Sequence, residues 1–284
     1  MILDIVIPIY NNEKQIINLY NKITEDLKNI KHNLIFVNDN SSDKSLQILK
    51  ELYKNDESNI KIVSLSKTQG KDTCIYTGID YSKHNLVCIY DMDIQANTSH
   101  IVKMYTFLKE HPEYDEVCMC ASNNKQSKKI NMLNKIFYLN YDPNKTYYRM
   151  FRRNVVKSIK NAINNNVFTK YTFDIIGFNV YYLNFESKNI PNDLSIKDLL
   201  LYSKKPFNYL KYINFLLFII AFIITLLCIF KKINVSNNVL LLVIIILSIM
   251  FLSIIHTTYN YLLYKNRRTI PLIKELIGFD DNVL

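Results

Sequence analysis

Three acidic clusters stand where the chain leaves short apolar runs. Glu13 closes the stretch Pro8-Ile9-Tyr10-Asn11-Asn12-Glu13, Asp39 lies in Asn38-Asp39-Asn40-Ser41-Ser42-Asp43, and two carboxylates share Asp91-Met92-Asp93-Ile94-Gln95. A single residue separates Asp91 from Asp93. On an extended segment such a pair suits a hard divalent cation that keeps waters and takes further oxygens from a diphosphate. Each cluster taken alone also reads as a turn with a helix cap, Ser42 or Asp43 capping one helix and Ser99 another. The stretch from Asp39 onward has part of a calcium loop's spacing. Lys44 stands where that loop needs Gly and Lys50 where it needs a bidentate Glu, which excludes the reading.

The elements that would position these clusters follow from hydrophobic pattern. Residues 3–9, 34–37, 60–65, 86–90 and 116–120 are largely apolar runs of strand length, as expected for strands covered on both faces. Between them, Ile16, Ile17, Tyr20, Ile23 and Leu27 recur at helical spacing, as do Leu46, Leu49 and Leu52. A third helix is expected from near Lys71 and a fourth over 99–110. Alternating strands and helices predict a doubly wound, mostly parallel α/β sheet, and such sheets bind ligands beyond the carboxyl ends of their strands. All three acidic clusters would then share one edge. Further on, 122–131 reads as a polar loop, 130–139 and 155–163 as amphipathic helices, and 175–183 as a strand. Residues 194–202 and 207–209 read as amphipathic, interfacial segments.

Two runs, 213–230 and 239–256, contain no Asp, Glu, Lys or Arg. At 1.5 Å per residue each is about long enough to cross a hydrocarbon core of about 30 Å. The expected organisation is a catalytic domain over 1–205 with a juxtamembrane segment to about 211. A two-helix transmembrane hairpin follows within 212–264, then a tail over 265–284. Of the net charge of +10, Lys204, Lys205, Lys211, Lys265, Arg267 and Arg268 bracket the hairpin, which puts both flanks on the cytosolic face of a plasma membrane. Lys231 and Lys232 in the connecting loop argue the other way but are fewer. Residues 1–10 lack a basic leader and carry Asp4, so no secretory signal is expected there. The basic residues are scattered and no nucleic-acid-binding signature occurs, which argues against a nucleic-acid partner. The five cysteines (Cys74, Cys88, Cys118, Cys120, Cys228) lack metal spacing and are expected to be reduced and buried.

The motifs occur in the order Val6-Ile7-Pro8-Ile9-Tyr10-Asn11, Val37 to Asp43, Ser66-Lys67-Thr68-Gln69-Gly70-Lys71, then Asp91 to Gln95. That order resembles the family 2 glycosyltransferases, and within them the polyprenyl-phosphate branch of bactoprenol glucosyltransferases and dolichyl-phosphate mannosyltransferase. The paired spans and the tail Ile270 to Gly278 resemble the bactoprenol type. The resemblance implies a GT-A fold and a nucleoside-diphosphate-sugar donor. It implies that Pro8, Tyr10 and Glu13 line the nucleotide pocket, that Asp39 contacts the base and that Lys71 lies near the nucleotide. Asp91 and Asp93 would be the pair that handles Mg²⁺ or Mn²⁺, with Gln95 close to the sugar. Arg149 and Arg153, in Tyr148-Arg149-Met150-Phe151-Arg152-Arg153, would contact phosphate; solvated surface is the other reading of both.

The chain departs from the family pattern at several positions. Asn38 and Asn40 replace an Asp and a Gly, and Asn tolerates left-handed backbone. Asn97 and Thr98 replace two prolines. Asn184, Ser187 and Asn192-Asp193-Leu194 stand where the family carries basic residues toward the lipid phosphate. The leading expectation is an inverting transferase moving a sugar, glucose by default, from a UDP-sugar rather than GDP-mannose to a polyprenyl phosphate such as undecaprenyl phosphate. A different glycan acceptor and a non-catalytic nucleotide-sugar-binding membrane module are the alternatives. A homo-oligomer is also expected.

Overall fold

Along Leu3–Ile9 (β1), Leu3, Ile5 and Ile7 face one side of a sheet and Val6 the other, and all are fully buried. This alternation is the period-2 pleat, and both faces are buried because helices cover both, with Asp4 on the Val6 side bonded to Asn33 and the Lys83 and His84 amides. The computed structural model of the chain describes residues 1–94, 96–122, 142, 144–163, 168–170, 172–186, 219, 223, 251, 255 and 271–279. It divides into two compact units. One comprises 1–126, 142–192 and 268–284; the other, 127–141 with 193–267, lies almost wholly outside the described residues.

In the first unit the strands are β1, His32–Asn38 (β2), Ile60–Leu65 (β3), Leu86–Ile89 (β4), Glu116–Ala121 (β5), Lys145–Arg152 (β6), Val180–Phe185 (β7) and Ile273–Ile277 (β8). They form one sheet in the order β7-β5-β6-β4-β1-β2-β3-β8. Only β6 and β8 run antiparallel to their neighbours, so the sheet is mostly parallel, as expected for a GT-A domain. The helices are Ile16–Asp26 (α1), Ser45–Asn55 (α2), Lys71–Tyr81 (α3), Ser99–Glu110 (α4), Arg153–Ile163 (α5) and Thr172–Ile176 (α6), with a 3₁₀ turn at Met92–Ile94. Ile16 and Ile23 of α1, Leu49 of α2, and Ile101 and Met104 of α4 fill one face of the sheet. Ile75 and Ile79 of α3 with Val155 and Ile159 of α5 fill the other. Gly78 lets α3 close on β1: a Cβ there would stand 2.2 Å from Val6 Cγ1.

Three expectations need correction. The strand expected over 175–183 begins only at Val180. Residues 172–176 are helical, and Gly177 at φ +72° ends that helix in the left-handed conformation that glycine takes without strain. The Tyr148–Arg153 segment is interior strand β6 running into α5, and part of the tail is the edge strand β8. The helices expected at 130–139 and 194–202, Cys228, and nearly all of both apolar runs lie outside the described residues. Among the described residues no helix is long and apolar enough to cross a membrane. Cys74, Cys88, Cys118 and Cys120 are free and buried.

Candidate functional site

The parallel core order β4-β1-β2-β3 reverses between β1 and β4, where the chain crosses back from β3. Crevices open at such reversals, beyond the strands' carboxyl ends. Asp91 leaves β4 there. It is nearly buried while Asp93 is exposed, and the Asp93 amide donates to Asp91 Oδ1 at 3.1 Å, tightening the 3₁₀ turn. Lys71, the first residue of α3, places its Nζ 2.5 Å from Asp91 Oδ1 and 2.7 Å from Asp93 Oδ2. Burial opposes the Lys71 charge, but the two carboxylates outweigh it and raise its pKa. Burial also raises the Asp91 pKa, an effect Lys71 only partly offsets.

One point in space thus has two carboxylate oxygens within bonding range of a cation. That donor set suits Mg²⁺ or Mn²⁺, which commonly take one or two protein carboxylates and complete their shell with water and phosphate oxygens. Among the described residues no cluster of three or more His, Cys, Asp or Glu side chains forms a metal cage. The pair fits a cation shared with a substrate rather than an all-protein site.

Asp39 stands beside this group, 4% exposed. Its Oδ1 accepts from the Gln69 amide at 2.7 Å and its Oδ2 from the Gly70 amide at 2.9 Å, while its carbonyl accepts from Thr68 Oγ1. Gly70 takes φ +90° to make this turn. Asp39 therefore shapes the loop that delivers Lys71, and the two acidic clusters meet through two consecutive residues, Gly70 and Lys71.

The β1 and β2 ends are tied to each other. Asn11 and Asn40 both take positive φ, 52° and 54°, as expected for Asn40 from its side chain. Asn11 Oδ1 accepts from the Ser42 amide, Asp43 Oδ2 from the Glu13 amide, and Glu13 Oε2 from the Lys44 amide. Pro8 is half-buried in β1, whereas Tyr10 is 54% exposed at the edge. Gln95 lies outside the described residues.

The two arginines are elsewhere. Arg149 is 2% exposed. It donates to Glu116 Oε1 at 2.7 Å and twice to the Thr146 carbonyl, with its guanidinium 4.1 Å from the Phe173 ring centroid. Neither phosphate contact nor solvated surface describes it; it is the cation of a core ion pair. Arg153 follows β6 at the opposite strand edge, its amide on the Asn85 carbonyl and its Nη1 on Ser82 Oγ. Antiparallel β6 carries it away from Asp91. Sequence reasoning missed Gln69, whose Oε1 accepts from the Leu272 amide at 2.7 Å, because the strand that contacts it is some 200 positions distant.

The chain is similar to an uncharacterized glycosyltransferase of Synechocystis, 31% identical over 65% of this chain and 60% of that one. It is 24% identical to the bactoprenol glucosyl transferase of Shigella phage SfX, over 62% of this chain and 61% of that one. In both, less than two thirds of the relative's length is matched. In fold it is similar to the glucosyl-3-phosphoglycerate synthase of Mycobacterium tuberculosis, with a TM-score of 0.50 and 14% identity over 70% of this chain and 78% of that one. Residues 4–185, well over half of the sequence, match the family described as Glycosyl transferase family 2, and to that family the chain belongs.

Proposed function

We propose that this protein is a membrane-anchored inverting glycosyltransferase that moves a sugar from a nucleoside diphosphate to a polyprenyl phosphate. The donor is a UDP-sugar, glucose by default, with GDP-mannose the less favoured choice. The observation that carries the reading is the convergence of Asp91, Asp93 and Lys71 Nζ at the carboxyl edge of β4. Asp91 and Asp93 would hold Mg²⁺ or Mn²⁺, which when bound neutralises charge developing on the leaving diphosphate. The similarity to a bactoprenol glucosyl transferase supports the lipid acceptor. The charge-free runs 213–230 and 239–256 with their basic flanks support a two-span anchor in the plasma membrane, with the catalytic domain cytosolic.

Among the described residues no strong general base stands out at this edge, and the chemistry needs none. A phosphate monoester is already about −1.5 to −2 charged at pH 7. One of its oxygens attacks the anomeric carbon, the bond from that carbon to the diphosphate oxygen breaks, and configuration inverts. The protein supplies alignment and charge neutralisation. Lys71, released from the carboxylates, would be free to pair with the same diphosphate. Tyr10, Pro8 and Glu13 border the nucleotide.

The replaced basic positions Asn184, Ser187 and 192–194 favour a second reading, transfer to a different glycan acceptor or donor binding without transfer. Full-length protein incubated with Mn²⁺, undecaprenyl phosphate and a panel of nucleotide-sugars separates these. Lipid-linked sugar, lost in Asp93→Asn, is expected. Transfer only to a glycan, donor binding without turnover, or full activity of Asp93→Asn would overturn the proposal.

A further inference from the structure

The loop 66–70 that presents Lys71 is held from two sides. On the inner side Asp39 takes the Gln69 and Gly70 amides. On the outer side stands the strand β8, which pairs antiparallel with β3 from Ile62↔Ile277 to Leu65↔Ile273. Just beyond that ladder, the Ser66 amide donates to the Leu272 carbonyl at 2.7 Å, and the Leu272 amide donates back to Gln69 Oε1 at 2.7 Å. Leu272 therefore grips the loop at two points, through the backbone of its first residue and the side chain of its fourth.

The same tail segment also reaches the far end of α3. Phe279 packs edge-on against Tyr81, in the last turn of that helix, with ring centroids 5.1 Å apart. Gly278, at φ +80°, lies so close to β3 that a Cβ would stand 2.8 Å from the Ile60 carbonyl oxygen. Glu275 is ion-paired to Lys50 of α2 at 2.7 Å. Residues 272–279 thus brace α3 at its first loop and its last turn, and α3 begins with the lysine that meets Asp91 and Asp93.

We propose that Gln69 is a positioning residue of the donor site, and that the β8 segment is an integral wall of that site through the Leu272 N–H···Oε1 Gln69 bond. The proposal rests on the reading that Lys71 and the Asp91/Asp93 pair meet a nucleoside diphosphate, and deepens it by assigning who holds Lys71 in place. Gln69 acts through the loop: its amide is fixed by Asp39 and its side chain by the tail, so both the direction of the Gly70 turn and the launch point of Lys71 are over-determined. Loss of the Gln69 side-chain tie removes one of the restraints on the turn, and part of the donor's binding free energy then goes to ordering the loop.

The test uses full-length protein in detergent, with UDP and Mn²⁺ as the binding probe. Gln69→Met removes the acceptor at nearly constant length, Leu272→Pro removes the donor N–H while also fixing φ at 272 and restricting Pro271, and Gln69→Glu keeps an acceptor oxygen. One neutral hydrogen bond corresponds to about a three- to tenfold change in an equilibrium constant. Gln69→Met and Leu272→Pro are each expected to weaken UDP binding by that factor, Gln69→Glu to stay within about twofold of wild type, and the double variant to be no weaker than either single one. Amide exchange at Gln69 and Gly70, measured without ligand, is expected to quicken in Gln69→Met and Leu272→Pro but not in Gln69→Glu. Wild-type affinity in Gln69→Met, or losses that multiply in the double variant, overturns the proposal while leaving the donor reading intact. Failure of wild-type protein to bind UDP or GDP with Mn²⁺ overturns the donor reading and this proposal together.

Discussion

Arg149 gives the sharpest test of the site's boundary, because the family resemblance implies a phosphate contact for it, with solvated surface the other reading, and the structure places it in the core. Its guanidinium and the Glu116 carboxylate are 3% and 1% exposed and 2.7 Å apart. Removing one partner of such a pair leaves a buried charge uncompensated, so Arg149→Met is expected to cost about 3–5 kcal/mol. In a domain of this size that lowers the melting temperature by roughly 6–20 °C. The double variant Glu116→Leu/Arg149→Met removes both charges and leaves chiefly the Thr146 carbonyl without its two guanidinium bonds. It should therefore lose only about 1–3 kcal/mol. The pH dependence follows from the carboxylate left behind. Burial raises the Glu116 pKa and Arg149 offsets this; without Arg149 it rises further. A carboxylate with a raised folded pKa stabilises below its unfolded value and loses that contribution as pH rises through the folded value. Arg149→Met should thus be less destabilised at pH 5 than at pH 8. Circular dichroism melts of full-length protein follow this, the chain having no Trp to report by fluorescence. UDP affinity, measured below the melting range, should survive in the double variant. A single variant of wild-type stability that no longer binds UDP would refute the core assignment and restore Arg149 to the phosphate.

Lys71→Met should tighten Mn²⁺ binding in the absence of donor by about tenfold, since it removes an ammonium that competes for the same two oxygens, while transfer activity falls; paramagnetic resonance of free Mn²⁺ reads the first effect directly. Gly78→Ala should cost about 1–3 kcal/mol or more, because the new methyl meets Val6 at 2.2 Å, and Val6→Ala should recover part of the loss in a double-variant melt. Asp43 is held below the usual carboxylate range: slight burial opposes this, but bonds from Ser45 and the Glu13 amide prevail. Its stabilisation is present above the unfolded pKa near 3.9 and lost as pH falls through the lower folded value, so Asp43→Asn should flatten the acid side of a stability-against-pH curve.

The sequence was most legible where both faces of an element are covered. The runs 3–9 and 60–65 are strands to the residue, because cover on both faces keeps them largely apolar, and α4 matches its expected bounds of 99–110, with Ile101, Met104 and Leu108 buried at helical spacing. The Asp91/Asp93 pair could be read because only one residue separates its two carboxylates in sequence. Legibility failed where a side chain's partner is remote. Nothing near Arg149 announces that Glu116, on another strand, will claim it. β8 has the pattern Ile-Lys-Glu-Leu-Ile, too short and mixed to declare a strand until β3 offers it an edge. The boundary at 175–183 was missed because Gly177 can stop a helix as readily as interrupt a strand.

The alternative readings of the strand-end polar residues, turn caps or chemistry, turn out to divide residue by residue. Asn11, Glu13 and Asp43 bond across from the first loop to the second, and Asp39 folds the third. These side chains spend acceptor atoms on backbone amides of neighbouring loops, and such bonds fix loop geometry before any ligand arrives. Asp91 and Asp93 are different: their carboxylates face each other across one ammonium rather than a run of backbone amides. An ammonium on a flexible four-carbon stem can leave, whereas a backbone amide cannot. Among these strand-end residues the exchangeable cation position is therefore at the β4 end, and the neighbouring loops are tied by backbone hydrogen bonds around it. That division is what a transfer site needs: charge that can be rearranged at the reacting bond, and fixed surroundings that hold the donor still while it breaks.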